Sequence, residues 1–197
     1  MSDGIAGLHA GDALLVVDVQ RDFLPGGALP VPEGGAVIPV LNRCIREFVA
    51  RGLPVFATRD WHPSNHCSFR SQGGPWPEHC VAGTPGAEIP ETLQLPATAQ
   101  VISKANTQEK DAYSGFQGTD LLARLRARGC CRVFVGGLAT DYCVKWTVFD
   151  ALSNDVAVVV FEDAIRAVDV KSGDGVRALA DMLARGAAVA KIENIVA

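Results

Sequence analysis

The sequence has no apolar run approaching the ~18 residues that a membrane-spanning helix needs, so no bilayer span is expected. Met1–Gly11 lacks a basic segment followed by an apolar one, so no secretory leader is expected either. No Cys-x-x-Cys pair occurs among Cys44, Cys67, Cys80, Cys130, Cys131 and Cys143, which argues against a cysteine zinc site or a thioredoxin-like redox centre. These thiols are expected to be reduced and the protein cytoplasmic. Basic residues are in the minority, 18 Lys and Arg against 22 Asp and Glu. That balance leaves no electrostatic footprint for nucleic acid or an anionic membrane. A small neutral or metal-assisted substrate fits it better. Nothing in the sequence decides the oligomeric state, and a homo-oligomer is compatible with it.

What is present reads as one globular domain spanning 1–197. A chain of this length buries roughly 70% of its unfolded surface, enough for a core without staples. Ala13–Val17 is a continuous apolar run and reads as a strand buried on both faces. In Ala36–Ala50 the apolar residues Val37, Val40, Leu41, Cys44, Ile45 and Phe48 fall on one helical face, and Gly52 follows as a C-terminal cap. Further strands are expected at Pro54–Thr58, Val101–Ser103, Arg132–Val135, Val156–Phe161 and Ala187–Ala190. Helices are expected at Leu121–Arg128, Cys143–Ser153 and Val176–Arg185, the first closed by Gly129 and the last by Gly186. Strands alternating with amphipathic helices predict an α/β fold. Its sheet should be doubly wound, mostly parallel and six-stranded, with helices on both faces. The irregular stretch at about 60–98 interrupts the alternation, and loops of that length in compact domains are usually functional.

Ligands of open parallel sheets bind beyond the carboxyl ends of the strands. There the sequence places Asp18, then Asp60 with His62, then Lys104, then the segment Gly136–Cys143. Singly, Asp18 reads equally as a turn-capping aspartate and Lys104 as a solvated lysine. Together they suggest a buried charge pair, costly unless it is used. Gly136 and Gly137 let the chain leave the strand tightly, and Thr140 or Asp141 can cap the helix that follows. Cys143 would sit in the first helical turn, where free amides and the helix dipole lower a thiol pKa and can hold an oxyanion. Cys44, Cys130 and Cys131 read as buried small hydrophobes. His62, His66 and His79 all lie in the long loop. They are either polar loop residues or, as Asp60-x-His62 with His79, a two-histidine, one-carboxylate set suited to Zn²⁺, Fe²⁺ or Mn²⁺.

Six motifs in order carry a resemblance along nearly the whole chain. They are Asp18-Val19-Gln20-Arg21-Asp22-Phe23, Arg59-Asp60-Trp61-His62-Pro63, Asn65-His66-Cys67-Ser68-Phe69, Trp76 through Ala87, Ser103-Lys104, and Gly137 through Val144. The chain resembles the nicotinamidases of the isochorismatase-like hydrolase superfamily. The resemblance implies deamidation of nicotinamide to nicotinate and ammonia through a cysteine thioester, in the salvage of NAD. It implies Cys143 as nucleophile, Asp18 as general base and Lys104 as the cation that steadies both Asp18 and the transition state. It implies one divalent metal, Zn²⁺ first among the candidates, on Asp60, His62 and His79. Phe23 and Trp76 would sandwich the ring, and Tyr113 and Tyr142 would complete the pocket. A cis peptide bond before Ala139 would aim the Ala139 amide, with that of Cys143, at the oxyanion. His66, four residues after His62, reads as structural rather than as a ligand. The rivals are a related cysteine amidohydrolase for another carboxamide or ureide, a non-catalytic metal- or ligand-binding protein, and a thiol redox sensor with Cys67 or Cys80 as resolving cysteine.

Overall fold

A computed structural model describes residues 7–195. The stretch examined for a leader therefore lies outside the described residues as far as residue 6. Among the described residues no helix is long and apolar enough to cross a membrane. In chain order the elements are β1 (Asp12–Val17), α1 (Val37–Ala50), β2 (Val55–Asp60), β3 (Gln100–Lys104), α2 (Leu121–Ala127), β4 (Arg132–Leu138), α3 (Lys145–Ser153), β5 (Ala157–Arg166), α4 (Asp174–Ala184) and β6 (Ala188–Ala190). The sheet has the order β3-β2-β1-β4-β5-β6, and every adjacent pair runs parallel. It is wholly rather than mostly parallel, because each strand is reached by a crossover and none by a hairpin.

Period-two alternation in β1 divides the core. Leu14 and Val16 face α1, packing with Leu41, Cys44, Ile45 and Phe48. Ala13, Leu15 and Val17 face the other way, against Leu121 and Leu125 of α2, Val148 of α3 and Met182 of α4. The β2–β3 crossover has no α-helix; its ordered pieces are the short 3₁₀ turns Arg70–Gln72 and Pro85–Ala87. It covers the carboxyl edge of the sheet near β1 and β4, where the winding reverses and a ligand crevice forms.

Two boundaries differ from expectation, and both bear on the site. Gly136 and Gly137 belong to β4 rather than to a turn after it. A Cβ on Gly137 would lie 2.1 Å from the Val17 carbonyl oxygen, so the glycine permits close approach of β1. Cys143 precedes the α-helix, lying in a wide π-helical turn, Thr140–Val144. The Val144 amide bonds the Ala139 carbonyl at 3.1 Å, a five-residue step of the kind found at functional sites.

Candidate active site

Three strand ends meet at Lys104. It pairs in register with Asp60 as the last residue of β3. Its Nζ lies 2.5 Å from Asp60 Oδ1, 2.9 Å from Asp18 Oδ2, 3.0 Å from the Ala112 carbonyl and 3.5 Å from Cys143 Sγ. Asp18 follows β1 with φ at 48°, a left-handed value that aspartate tolerates. Its Oδ1 accepts a 2.6 Å hydrogen bond from Thr58 of β2. Its Oδ2 is close to the ammonium but outside hydrogen-bond geometry, so this buried oxygen keeps a free lone pair. One oxygen of each carboxylate and the Cys143 sulfur lie within 4.8 Å of one another.

Burial shapes the protonation states. Burial opposes the charge on Lys104, but Asp18 and Asp60 outweigh it and hold its pKa well above the ordinary value. Burial likewise raises the Asp18 carboxyl, against the pull of Lys104 and with the push of Asp60. Cys143 departs from the expected depressed thiol pKa. Burial drives it well above the usual value, and Asp18 and Asp60 add to this against Lys104. A helix terminus stabilises thiolate in a polar setting; here desolvation beside two carboxylates wins, and the resting thiol keeps its proton.

Asp60, His62 and His79 are buried together, with one donor atom from each inside 4.8 Å. His62 Nδ1 lies 3.1 Å from the Ala105 carbonyl and His79 Nδ1 lies 2.8 Å from the Pro77 carbonyl. A carbonyl can only accept, so both Nδ1 atoms carry hydrogen and each Nε2 is left with a lone pair that a metal could take. Burial, with His79 and His66 beside it, lowers the His62 pKa to about 3, so the ring is neutral. His62 Nε2 and Asp60 Oδ2 therefore face each other, 3.7 Å apart, as two lone pairs. A divalent cation between them resolves that opposition, and the donor set fits one. His66 stacks on His62 with centroids 4.2 Å apart, but its nitrogens are used by Ser68 Oγ (2.8 Å) and the Lys110 carbonyl (3.1 Å). It has no nitrogen free for a metal.

Phe23, Trp76, Tyr113, Tyr142, Ala139 and Cys143 all line one pocket, together with Asp60, His62 and His79. Trp76 Nε1 donates to Tyr113 Oη at 3.0 Å, joining the long loop to the β3–α2 connection. The Leu138–Ala139 peptide bond is cis. Neither Thr140 nor Asp141 caps α3. Asp141 instead accepts the amides of Val168 and Asp169, each at 2.9 Å, because the π turn rotates it toward the β5–α4 connection. Sequence reasoning missed Thr58 and Val168. Thr58 had a signal, a hydroxyl in an otherwise apolar strand; Val168, brought to the pocket by Asp141, had none. Cys67 and Cys80 form no disulfide. Burial with Asp60 and Asp22 pushes the Cys80 thiol up, which makes it a poor resolving cysteine.

Comparison with known proteins gives concordant results. The model of the isochorismatase domain matches residues 12–194. A nicotinamidase of Escherichia coli is 42% identical over 196 residues, covering 89% of this chain and 92% of the relative. The structure of the pyrazinamidase of Pyrococcus horikoshii in complex with zinc superposes with TM-score 0.88 at 52% identity, covering 92% of this chain and 99% of that one. The structure of PnC1 from L. infantum in complex with nicotinate gives TM-score 0.89 at 38% identity, with coverages of 96% and 97%.

Proposed function

The chain belongs to the isochorismatase domain family, and on that premise we propose that it is an amidohydrolase converting nicotinamide to nicotinate and ammonia. The observation that carries the reading is that Cys143 and the Asp60–His62–His79 cluster line one aromatic-walled pocket, with Lys104 and Asp18 buried beside the sulfur. A nucleophile beside a ring-anchoring ion suits a carboxamide on a basic aromatic ring. A carbamoyl amine or ureide has no ring nitrogen for that ion.

Asp18 Oδ2, with its free lone pair, takes the Cys143 proton as sulfur adds to the amide carbonyl. The tetrahedral oxyanion is held by the Ala139 and Cys143 amides. As the C–N bond breaks, Asp18 returns the proton to nitrogen and ammonia leaves. Asp18 then deprotonates water, whose oxygen attacks the thioester; the C–S bond breaks, sulfur regains the proton, and nicotinate is released. Lys104 stays charged and offsets the negative charge that builds beside Asp18 and Asp60. Phe23 and Trp76 orient the ring while Tyr113 and Tyr142 close the pocket. Asp60, His62 and His79 would hold a divalent metal, Zn²⁺ by their chemistry, which would supply an anchor for the ring and electron withdrawal from it. Six unpaired cysteines support a reducing, cytosolic setting, and the reaction suits NAD salvage.

The test is ammonia release from nicotinamide with zinc supplied. Wild type should be active and Cys143→Ala lower by about 10⁴-fold or more. An inactive wild type, or a mutant that keeps its rate, rejects the reading.

A further inference from the structure

The stretch that carries His79 has no α-helix and only isolated β-bridges, His62 with Val81 and Phe69 with Trp76, yet on the metal reading it must hold a ligand in place. The His62 backbone holds one side of it, bonding the Cys80 carbonyl at 3.0 Å and the Ala82 amide at 2.8 Å, and the Gln20–Asp22 turn holds the other. Gln20 is fully buried. Its Nε2 donates to the carbonyls of Asp60 and Ala87, both at 2.8 Å, and its Oε1 accepts the Asp60 amide at 2.7 Å. Every one of these bonds goes to backbone, and two of the three go to the residue that offers a carboxylate to the metal site. The Arg21 amide donates to the Glu88 carbonyl at 2.9 Å. Asp22 Oδ2 accepts the Cys80 amide, the residue after His79, at 2.7 Å, and its Oδ1 accepts the Ala28 amide at 3.2 Å. Gly86 packs so closely on that carboxylate that a Cβ there would lie 2.2 Å from Asp22 Oδ2. The next residue, Phe23, sets its ring 5.6 Å from the His79 ring.

We propose that Gln20 and Asp22 are positioning residues of the metal site: Gln20 holds the Asp60 backbone and Asp22 holds the His79–Cys80 backbone, so this one turn sets the separation of the two ligands. Neither side chain belongs to the donor cluster itself. The inference rests on the metal reading given under Proposed function. Its energetic logic is that of outer ligand supports generally, whose loss costs 10–100-fold in metal affinity.

Gln20→Glu is the sharpest probe. It keeps the shape of the side chain but sets a carboxylate oxygen against two carbonyl oxygens. Asp22→Ala removes the second clamp, and Gly86→Ala displaces it by steric contact, giving a second variant if either of the others fails to melt cooperatively. Zinc affinity of the stripped full-length protein is measured by competition with a chromophoric chelator, beside a urea titration of the same metal-free sample. Cys44→Ala, a core truncation on α1, is the control for destabilisation alone. The clamp variants should bind zinc at least tenfold more weakly, while Cys44→Ala binds within twofold of wild type at comparable loss of stability. Clamp variants that fold and bind within twofold of wild type overturn the proposal, as does a control that loses affinity equally. A wild type that binds no divalent metal rejects the underlying metal reading, and the clamp with it.

Discussion

Lys104 is wholly buried between two carboxylates, and what it does for the fold follows from what its removal would leave behind. Lys104→Met retains the stem but leaves Asp18 and Asp60 facing each other without a cation. Uncompensated buried charge costs about 3–5 kcal/mol, and urea unfolding of the metal-free variant should show that loss; a change below 1 kcal/mol would contradict the ion cluster. The residue scale is also where the sequence was most informative about identity and least about state. Asp18 was legible because it stands at the end of an apolar run, and Asp60 and Lys104 because each follows a strand-forming segment at the same edge of the sheet. The protonated Cys143 thiol was not legible, because a strand-to-helix position says nothing about the two carboxylates that the fold sets beside the sulfur. Gln20 and Asp22 were inside a recognised motif, but apart from Ala28 their side-chain partners lie about 40 to 67 residues away.

Helix α1 carries a pH signature of its own. Burial chiefly, with Asp163 adding to it, pushes the Cys44 thiol from 9.0 to about 12. The folded state keeps this thiol neutral while the unfolded chain ionises it, so the contribution is intact below pH 9 and is lost as pH rises toward 12. The slope is about 1.4 kcal/mol per pH unit. Wild type and Cys44→Ala, compared by urea unfolding at pH 8 and pH 10.5, should therefore converge by about 2 kcal/mol at the higher pH; a constant gap would count against it. Periodicity found each α-helix and strand among the described residues, because burial on one or two faces writes itself into local sequence. It missed how far β2, β4 and β5 extend. Asp60 and Gly137 look like loop residues, but parallel pairing to β3 and close approach of β1 keep them in the sheet.

At the scale of the molecule, one face of the sheet is packed by three helices and the other by α1 with the β2–β3 loop. Metal binding should therefore register as global stability, since the ligands exist as a set only in the folded chain. Zinc at a hundredfold excess over its Kd should raise Tm of the stripped protein by about 5–10 °C. In His79→Ala the increment should disappear. An equal rise in the mutant would remove His79 from the ligand set.

By itself the sequence determined the layers, the order of strands and helices, and which polar residues arrive at the carboxyl edge. Each of these follows from local spacing: a period of two or 3.6, a glycine after a helix, a charge after an apolar run. Tertiary structure alone decided which lone pairs are free, which thiol keeps its proton and what holds the β2–β3 loop. Those properties depend on burial and on partners far apart in the chain, such as Gln20 with Ala87 and Asp141 with Val168. Desolvation and hydrogen-bond geometry exist only once those partners have met.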